Sequence, residues 1–167
     1  MTSIDNEQIA DILDDIGSLL EVDEASPFRI RAYRNAADSI RMLNPPLAEM
    51  VAEGKSLTEL QDIGPAIAKK IEEIVRTGHL VYVDKLAQES GAGVLELLRI
   101  PGLGPKRVRL LRDELSVTSR SELREALESG RVRGLAGFGE KTEERLLRRL
   151  VSGDGPRNEP GDNPGKS

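Results

Sequence analysis

Three short glycine-containing segments are the parts of this sequence best suited to bind an anion. They begin at residues 60, 100 and 135 and follow the pattern apolar-x-Gly-apolar-Gly, except that Asp62 replaces the first glycine of the first copy. We call Leu60–Pro65 hairpin 1, Ile100–Pro105 hairpin 2 and Leu135–Glu140 hairpin 3. The first glycine allows a tight turn with positive φ. The central apolar residue (Ile63, Leu103 or Phe138) is expected to pack between two helices.

A predicted helix follows each segment, over residues 65–76, 105–115 and 140–151, because apolar residues recur there at helical spacing. Pro65 and Pro105 suit the first position of a helix, where a missing N–H costs nothing. The free amides at the helix start and its positive end then form an anion site. This arrangement is the helix-hairpin-helix motif, and it predicts contact with DNA phosphates without base reading. The alternative is that the segments are only structural turns in a helical repeat.

The three copies differ in charge, and we rank hairpin 2 as the best DNA contact and hairpin 1 as the worst. Hairpin 2 is followed by three basic residues, whereas Asp62 places a carboxylate in hairpin 1. Hairpin 3 is followed by Lys141, but Glu140, Glu143 and Glu144 crowd the start of its helix. The predicted DNA-contacting residues are Gly64, Ala66, Gly102, Gly104, Lys106, Arg107, Arg109, Gly137, Gly139 and Lys141.

The elements that position these segments are predicted to be helical throughout, which makes the fold all-α. An amphipathic first helix over residues 9–20 has an acidic outer face, and Ser26-Pro27 separates it from a second helix over 28–43. In that second helix Tyr33, Ala36, Ala37 and Ile40 form the inward stripe, with Arg31, Arg34, Asp38 and Arg41 opposite. A short helix over residues 47–53 follows. Because no stretch alternates with period two, no sheet is expected.

Composition excludes several classes of function. The chain has no Cys and only His79, so disulfides, thiolate nucleophiles and Cys- or His-rich metal centres are not expected. Two Phe, two Tyr and no Trp make base stacking improbable as a main binding mode. No apolar run approaches the roughly 18 residues of a membrane span, and the first residues do not show the basic-then-apolar order of a signal peptide. We therefore expect a soluble cytoplasmic protein with no cofactor, no metal and no membrane partner.

The net charge of −5 conceals a basic region. Residues 1–26 hold eight acidic residues and no basic one, whereas residues 99–149 hold thirteen basic and eight acidic residues, a local balance of +5. Because the field at a binding surface depends on nearby charge, the acidic total does not argue against DNA.

Residues 27–37, together with the three hairpins, resemble the N-terminal half of bacterial X-family DNA polymerases. Residues 135–144 are especially close to that family, and the resemblance covers about residues 5–150. It implies a small lyase-type helical domain at 1–78 that includes hairpin 1, and a helix-hairpin-helix domain at 79–151 with hairpins 2 and 3. Residues 152–167 lack apolar side chains to bury and are expected to be disordered, as a natural terminus would be. The family's palm and phosphoesterase domains have no counterpart in these residues, so this chain alone is not expected to polymerise DNA.

The resemblance also implies a catalytic lysine. The family's Schiff-base lysine, which attacks the sugar aldehyde of an abasic site before β-elimination releases the 5′-phosphate group, corresponds to Lys70. Arg29 and Tyr33 match positions that hold the phosphate and shape the pocket. Thr58 and Ala66, however, occupy positions where the family commonly has phosphate-binding lysines. The residues alone, without the resemblance, favour an ordinary solvated lysine at position 70, and they favour a helix cap or surface residue over a ligand or general base at His79.

Three functions follow from these observations. The leading one is a non-sequence-specific module that binds double-stranded or gapped DNA in repair. The second is a stand-alone 5′-deoxyribose phosphate lyase that uses Lys70. The third is an adaptor for repair proteins, with the acidic face of the first helix (Asp11, Asp14 and Asp15) as its dock.

Overall fold

The computed structural model describes residues 3–152, which form helices and turns without any strand. The all-α prediction is therefore confirmed over this range, and the predicted disordered tail lies outside it except for Ser152. No helix in the described range is long and apolar enough to cross a membrane. The helices are α1 (Asn6–Val22), α2 (Pro27–Arg41), α3 (Leu47–Ala52), α4 (Pro65–Thr77), α5 (Val81–Ser90), α6 (Val94–Leu98), α7 (Pro105–Leu115), α8 (Arg120–Glu128) and α9 (Glu140–Ser152). Two 3₁₀ turns cover Leu57–Glu59 and Arg131–Gly134.

The chain divides into two compact units, the first ending at Ser90 and the second beginning at Gly91. The boundary expected from the sequence, between residues 78 and 79, lies before α5 rather than after it. Helix α5 packs against α1, and the Ser90 hydroxyl donates a 2.6 Å hydrogen bond to the Asp23 carboxylate just after α1. The first unit therefore contains α1 to α5 and hairpin 1, and the second contains α6 to α9 with hairpins 2 and 3.

Local signals fix the ends of the first two helices. The Asp5 carboxylate accepts a 2.8 Å hydrogen bond from the Gln8 amide while the Gln8 side chain accepts one from the Asp5 amide, which is a capping box. Ser26 caps α2, and Pro27 occupies its first turn. The predicted stripe of α2 is buried as expected, and its alanines, Ala36 and Ala37, are fully buried in the core.

Arg34 and Arg41, on the other face of α2, reach back to α1 and pair with its acidic residues. The Arg34 guanidinium donates to the Asp14 carbonyl at 3.1 Å, and a Cβ placed on Gly17 would lie 3.1 Å from the Arg34 Nε. Arg41 pairs with Glu7, Asp11 and Asp14 at 2.9, 2.7 and 2.8 Å. The sequence pattern placed these arginines on a separate face, because helical spacing does not show partners on a neighbouring helix. The acidic surface open to a basic partner is therefore smaller than the sequence suggested.

The second unit builds its core from apolar residues of all four of its helices, namely Val94, Leu97, Val108, Leu111, Leu123, Leu127, Leu146 and Leu150. Ser119 caps α8 by accepting a hydrogen bond from the Glu122 amide. Gly93, which precedes α6, is required by close packing, since a Cβ there would lie 2.1 Å from the Thr118 carbonyl oxygen. This core holds hairpins 2 and 3 as the starts of α7 and α9.

Candidate nucleic-acid interface

The three hairpins have the same backbone turn. In each, the amide of the central apolar residue donates to the carbonyl three residues earlier: Ile63 to Leu60, Leu103 to Ile100 and Phe138 to Leu135, at 3.2, 3.0 and 3.1 Å. The residue before it has positive φ in every copy, +67° at Asp62, +97° at Gly102 and +86° at Gly137. The turn is therefore preserved in hairpin 1 although an aspartate replaces the glycine.

The central apolar residue of each hairpin is buried, with Ile63, Leu103 and Phe138 only 4%, 4% and 3% exposed. This burial agrees with the expectation that each of them packs between two helices. Each side chain holds the loop onto its own unit, so that the start of the following helix occupies a fixed place.

The second glycine of each hairpin faces open space. Gly64 and Gly104 have extended backbone, at φ −89° and −94°, which any residue can adopt. A Cβ on Gly64, Gly104 or Gly139 would meet nothing within 4 Å. Neither backbone strain nor internal packing requires these glycines, and without a side chain the backbone at these positions is accessible from solvent. No side chain caps α4 or α7, so their first amides remain open to an anion.

Basic side chains accompany these helix starts in the second unit. Lys106 and Lys141 are exposed in the first turns of α7 and α9, while Arg109 is half-buried. In the first unit the corresponding first turn carries the exposed Ala66. The predicted contact positions of hairpins 2 and 3 therefore carry exposed positive charge in the first turn of the following helix, and those of hairpin 1 do not.

Arg107 is engaged within the protein rather than extended into solvent. Its Nη1 donates to the Gly102 carbonyl at 3.0 Å and its Nη2 to the Gly137 carbonyl at 2.8 Å. The guanidinium carbon lies 5.5 Å from the centroid of the Phe138 ring. Arg107, predicted from sequence as a phosphate ligand, thus connects hairpins 2 and 3.

Two acidic residues at the hairpins also have internal partners. The Ser39 hydroxyl donates a 2.6 Å hydrogen bond to the Asp62 carboxylate, which steadies that side chain beside hairpin 1. Glu143, expected to crowd the start of α9, is instead buried, and its Oε1 accepts a 2.7 Å hydrogen bond from Arg133. That hydrogen bond raises the pKa of Arg133. Only Glu140 and Glu144 of the three acidic residues are therefore exposed near hairpin 3.

The structure brings Lys70, Arg29 and Tyr33 into one cluster in the first unit, together with Tyr82. The Lys70 Nζ lies 4.6 Å from the centroid of the Tyr82 ring, and Arg29 donates a 2.5 Å hydrogen bond to the Tyr82 hydroxyl. Burial lowers the pKa of the Lys70 amine, the positive charge of Arg29 lowers it further, and Glu73 opposes both. Burial also raises the pKa of the Tyr33 phenol, with Tyr82 adding to the rise and Arg29 opposing it. The cluster favours the neutral amine that a nucleophilic lysine requires.

Tyr82 is the residue of this cluster that the sequence did not indicate. It lies on α5, twelve residues after Lys70 in a different helix, so no helical spacing connects the two. The connection is made by Glu73, whose carboxylate accepts a 3.0 Å hydrogen bond from the Val81 amide at the start of α5. The one sequence signal for Tyr82 is that tyrosine occurs only twice in the chain. His79 is exposed and hydrogen-bonded to Asp84 at 2.7 Å, which confirms the prediction of a surface residue.

Comparison with known proteins finds a helix-hairpin-helix model for each of the two units. Residues 4–80 match the model of a helix-hairpin-helix domain, and residues 94–151 match that of a SAM-like helix-hairpin-helix tandem. The chain is similar to the DNA polymerase/3′-5′ exonuclease PolX of Bacillus subtilis, with 34% identity over 139 residues, which is 83% of this chain and 24% of the polymerase.

Two further relatives are the Holliday junction branch migration complex subunit RuvA of Bordetella petrii and that of Albidiferax ferrireducens. The first is 32% identical over 55% of this chain and 48% of the relative, and the second is 26% identical over 65% and 57%. The chain thus spans about a quarter of the polymerase and about half of each RuvA.

Proposed function

Because the chain is a tandem of helix-hairpin-helix domains and resembles the N-terminal part of a bacterial X-family DNA polymerase, we propose that it is a DNA-binding module. It contacts the backbone phosphates of double-stranded or gapped DNA without reading sequence, and it acts in DNA repair in the cytoplasm. The observation that carries this proposal is the second glycine of each hairpin, whose missing side chain nothing inside the protein requires.

The charges of the second unit support the same proposal. Lys106 and Lys141 lie exposed in the first turns of α7 and α9, where a phosphate would meet both the positive end of a helix and a mobile cation. Such contacts read phosphate position and carry no base information. The second unit therefore supplies most of the affinity, and the first unit adds little through hairpin 1.

Fluorescence anisotropy with labelled gapped duplex DNA tests the proposal. We expect saturable binding whose log Kd rises linearly with the logarithm of the salt concentration. Two unrelated DNA sequences should bind with equal affinity. Lys106→Glu should weaken binding more than the matched charge reversal Lys69→Glu, since Lys69 is also exposed but lies on the helix after hairpin 1. An anisotropy that stays flat at low salt contradicts the proposal.

The cluster around Lys70 supports a second function, that of a 5′-deoxyribose phosphate lyase. The Lys70 amine would attack the C1′ aldehyde of an opened abasic sugar, and loss of water would give a Schiff base. Loss of a C2′ proton then drives β-elimination, which breaks the C3′–O bond and releases the DNA on the 3′ side as its 5′-phosphate. Arg29, at one edge of the cluster, provides a positive charge for the sugar's phosphate, while the neighbouring Tyr82 ring holds the amine in place.

Borohydride trapping on incised abasic DNA separates this activity from binding alone. The wild-type chain should become covalently attached to the DNA, and Lys70→Ala should lose nearly all of that product. Lys69→Ala is the matched control, because its amine lies on the adjacent, exposed position of the same helix. Undiminished trapping by Lys70→Ala would remove Lys70 from this role.

A further inference from the structure

One guanidinium holds the two hairpins of the second unit together. The Nη atoms of Arg107 donate to the Gly102 and Gly137 carbonyls, which occupy the same place in hairpins 2 and 3. Both glycines have positive φ, at +97° and +86°. Because one planar group spans both acceptors, the two loops lie side by side, separated by no more than the reach of a single side chain.

Only arginine can make this connection from position 107. Its guanidinium presents several N–H donors in a rigid planar fork, whereas lysine carries its donors on a single nitrogen at the end of a flexible stem. The contact with the Phe138 ring further restricts the guanidinium, since that ring is itself buried beneath hairpin 3. The Arg107 guanidinium is therefore held by a carbonyl of each hairpin, and the Phe138 ring restricts the orientation of its plane.

We propose that Arg107 is a positioning residue for DNA binding, which fixes the spacing of hairpins 2 and 3 so that both bind the same DNA molecule at once. This inference rests on the proposed DNA-binding function, and it assigns Arg107 a role different from that of the neighbouring Lys106. Two anion sites held at a fixed separation bind one polyanion more tightly than two that move independently, because the second contact is then intramolecular. Arg107 acts through the loops, and its positive charge adds to the field around them.

The first test needs no DNA. Hydrogen exchange of the full chain, followed by mass spectrometry, compares wild type with Arg107→Lys, which keeps the charge and loses the fork. We expect faster exchange in peptides that cover hairpin 3, while peptides that cover hairpin 1 serve as the unchanged internal control. If Arg107→Lys unfolds by circular dichroism, Arg107→Gln takes its place, because its amide can donate to one of the two carbonyls. Unchanged exchange at hairpin 3 overturns the inference.

The second test measures coupling between the hairpins in DNA binding. Arg107→Lys should weaken binding of a labelled duplex by about tenfold, although the net charge is unchanged. In the wild-type background Lys141→Ala should reduce the slope of log Kd against log salt by about one phosphate contact. In the Arg107→Lys background the same Lys141→Ala change should have little further effect, because hairpin 3 no longer engages together with hairpin 2. Equal effects of Lys141→Ala in both backgrounds contradict the inference.

The two tests distinguish failure of the inference from failure of the proposed function. Wild-type protein that does not bind DNA refutes the function and with it the role of Arg107 in binding, whatever the exchange experiment shows. Wild-type protein that binds DNA, with Arg107→Lys unaltered in exchange and affinity, leaves the function intact and refutes the positioning role alone. Lys106→Ala, which removes a charge but not the connection, should lower affinity without changing exchange at hairpin 3.

Discussion

Hairpins 1 and 2 have the same turn but differ in what surrounds it. In hairpin 1 the left-handed position is Asp62, whose carboxylate is held by Ser39, and in hairpin 2 it is Gly102, whose carbonyl is held by Arg107. The backbone of the turn thus accepts either an aspartate or a glycine at this position, and the side chains around it decide what the turn can bind. Hairpin 1 presents its own anion three residues before Pro65, the first residue of α4, whereas hairpin 2 leaves the start of α7 open to an external anion.

The helices that follow these hairpins also differ, in the position and exposure of their lysines. Helix α4 carries Lys70 on its flank, half-buried against Tyr82, whereas α7 carries Lys106 exposed in its first turn. A half-buried amine with lowered pKa suits covalent chemistry, and an exposed ammonium suits phosphate binding. The differences between the two helices agree with the two kinds of site proposed above, and the following predictions test how independent those sites are.

The largest expected effect is on stability and is confined to one unit. Phe138→Ala removes a buried ring that also contacts Arg107, and it should lower the free energy of unfolding of the second unit by about 3–5 kcal/mol. Urea unfolding can assign the loss to a unit, because both tyrosines, Tyr33 and Tyr82, lie in the first unit and the chain has no Trp. Circular dichroism should show an early transition that tyrosine fluorescence does not.

Ile63→Ala is the matched change in the first unit, since Ile63 occupies the same position in hairpin 1 and is equally buried. It should move the tyrosine transition and cost about 2–5 kcal/mol. If the tyrosine transition moves equally in Phe138→Ala and Ile63→Ala, the two units unfold as one and the comparison between them loses its basis in stability.

The sequence predicted those features of the fold that local chemistry determines. Prolines at 27, 65 and 105 and the spacing of apolar residues placed the major helices to within a few residues, and the glycine pattern identified the turns. The resemblance to a family located Lys70, Arg29 and Tyr33, which the structure brings together.

The partners of long side chains could not be predicted in the same way. Arg107 is connected to a carbonyl thirty residues away, Arg41 to acidic residues on another helix, and Lys70 to a ring on α5. Each of these pairings depends on how helices pack, and no periodicity within one helix encodes it. Arg107 shows the consequence, because its residue type suggested a DNA ligand and its contacts indicate a connection between loops.

The next prediction distinguishes the roles of the two glycines in hairpin 2, one in stability and the other in DNA binding. Gly102→Ala places a Cβ in a left-handed conformation and should lower the free energy of unfolding by about 1–2 kcal/mol. Gly104→Ala should change stability little, because its backbone is extended and the space around it is open, yet it should weaken DNA binding severalfold. Urea unfolding and anisotropy on the same two proteins measure both quantities. Normal DNA affinity in Gly104→Ala would show that the open glycine does not face the phosphate.

A smaller effect is expected from converting hairpin 1 toward the character of hairpin 2. Asp62→Asn removes the negative charge while asparagine still tolerates positive φ and can accept the Ser39 hydrogen bond. The change should tighten DNA binding at low salt by about twofold to fivefold, as expected for one exposed charge near a helix start. Asp38→Asn, an exposed neutralisation on α2 outside the hairpin, is the control. Equal gains in both variants would assign the effect to net charge rather than to hairpin 1.

The smallest predicted change is in the protonation of Lys70. Glu73→Gln removes the carboxylate that raises the pKa of Lys70, so the pKa should fall further below the ordinary lysine value, and a larger fraction of the amine should be neutral near pH 8. Glutamine keeps an oxygen that can accept the Val81 amide, so the start of α5 should stay in place. Reductive methylation with ¹³C-formaldehyde followed by NMR titration reports this pKa directly.

Arg29→Gln gives the change of opposite sign. Losing the guanidinium removes a positive charge that lowers the pKa of Lys70, so the midpoint should move upward while burial of the amine still holds it below the ordinary value. The opposite shifts in the two variants distinguish electrostatic control from a general loosening of the cluster, which would move both midpoints upward toward the value of a solvated lysine. Since α7 carries no comparable cluster, Lys106→Ala should leave the Lys70 titration unchanged, and a shift there would contradict the independence of the two sites.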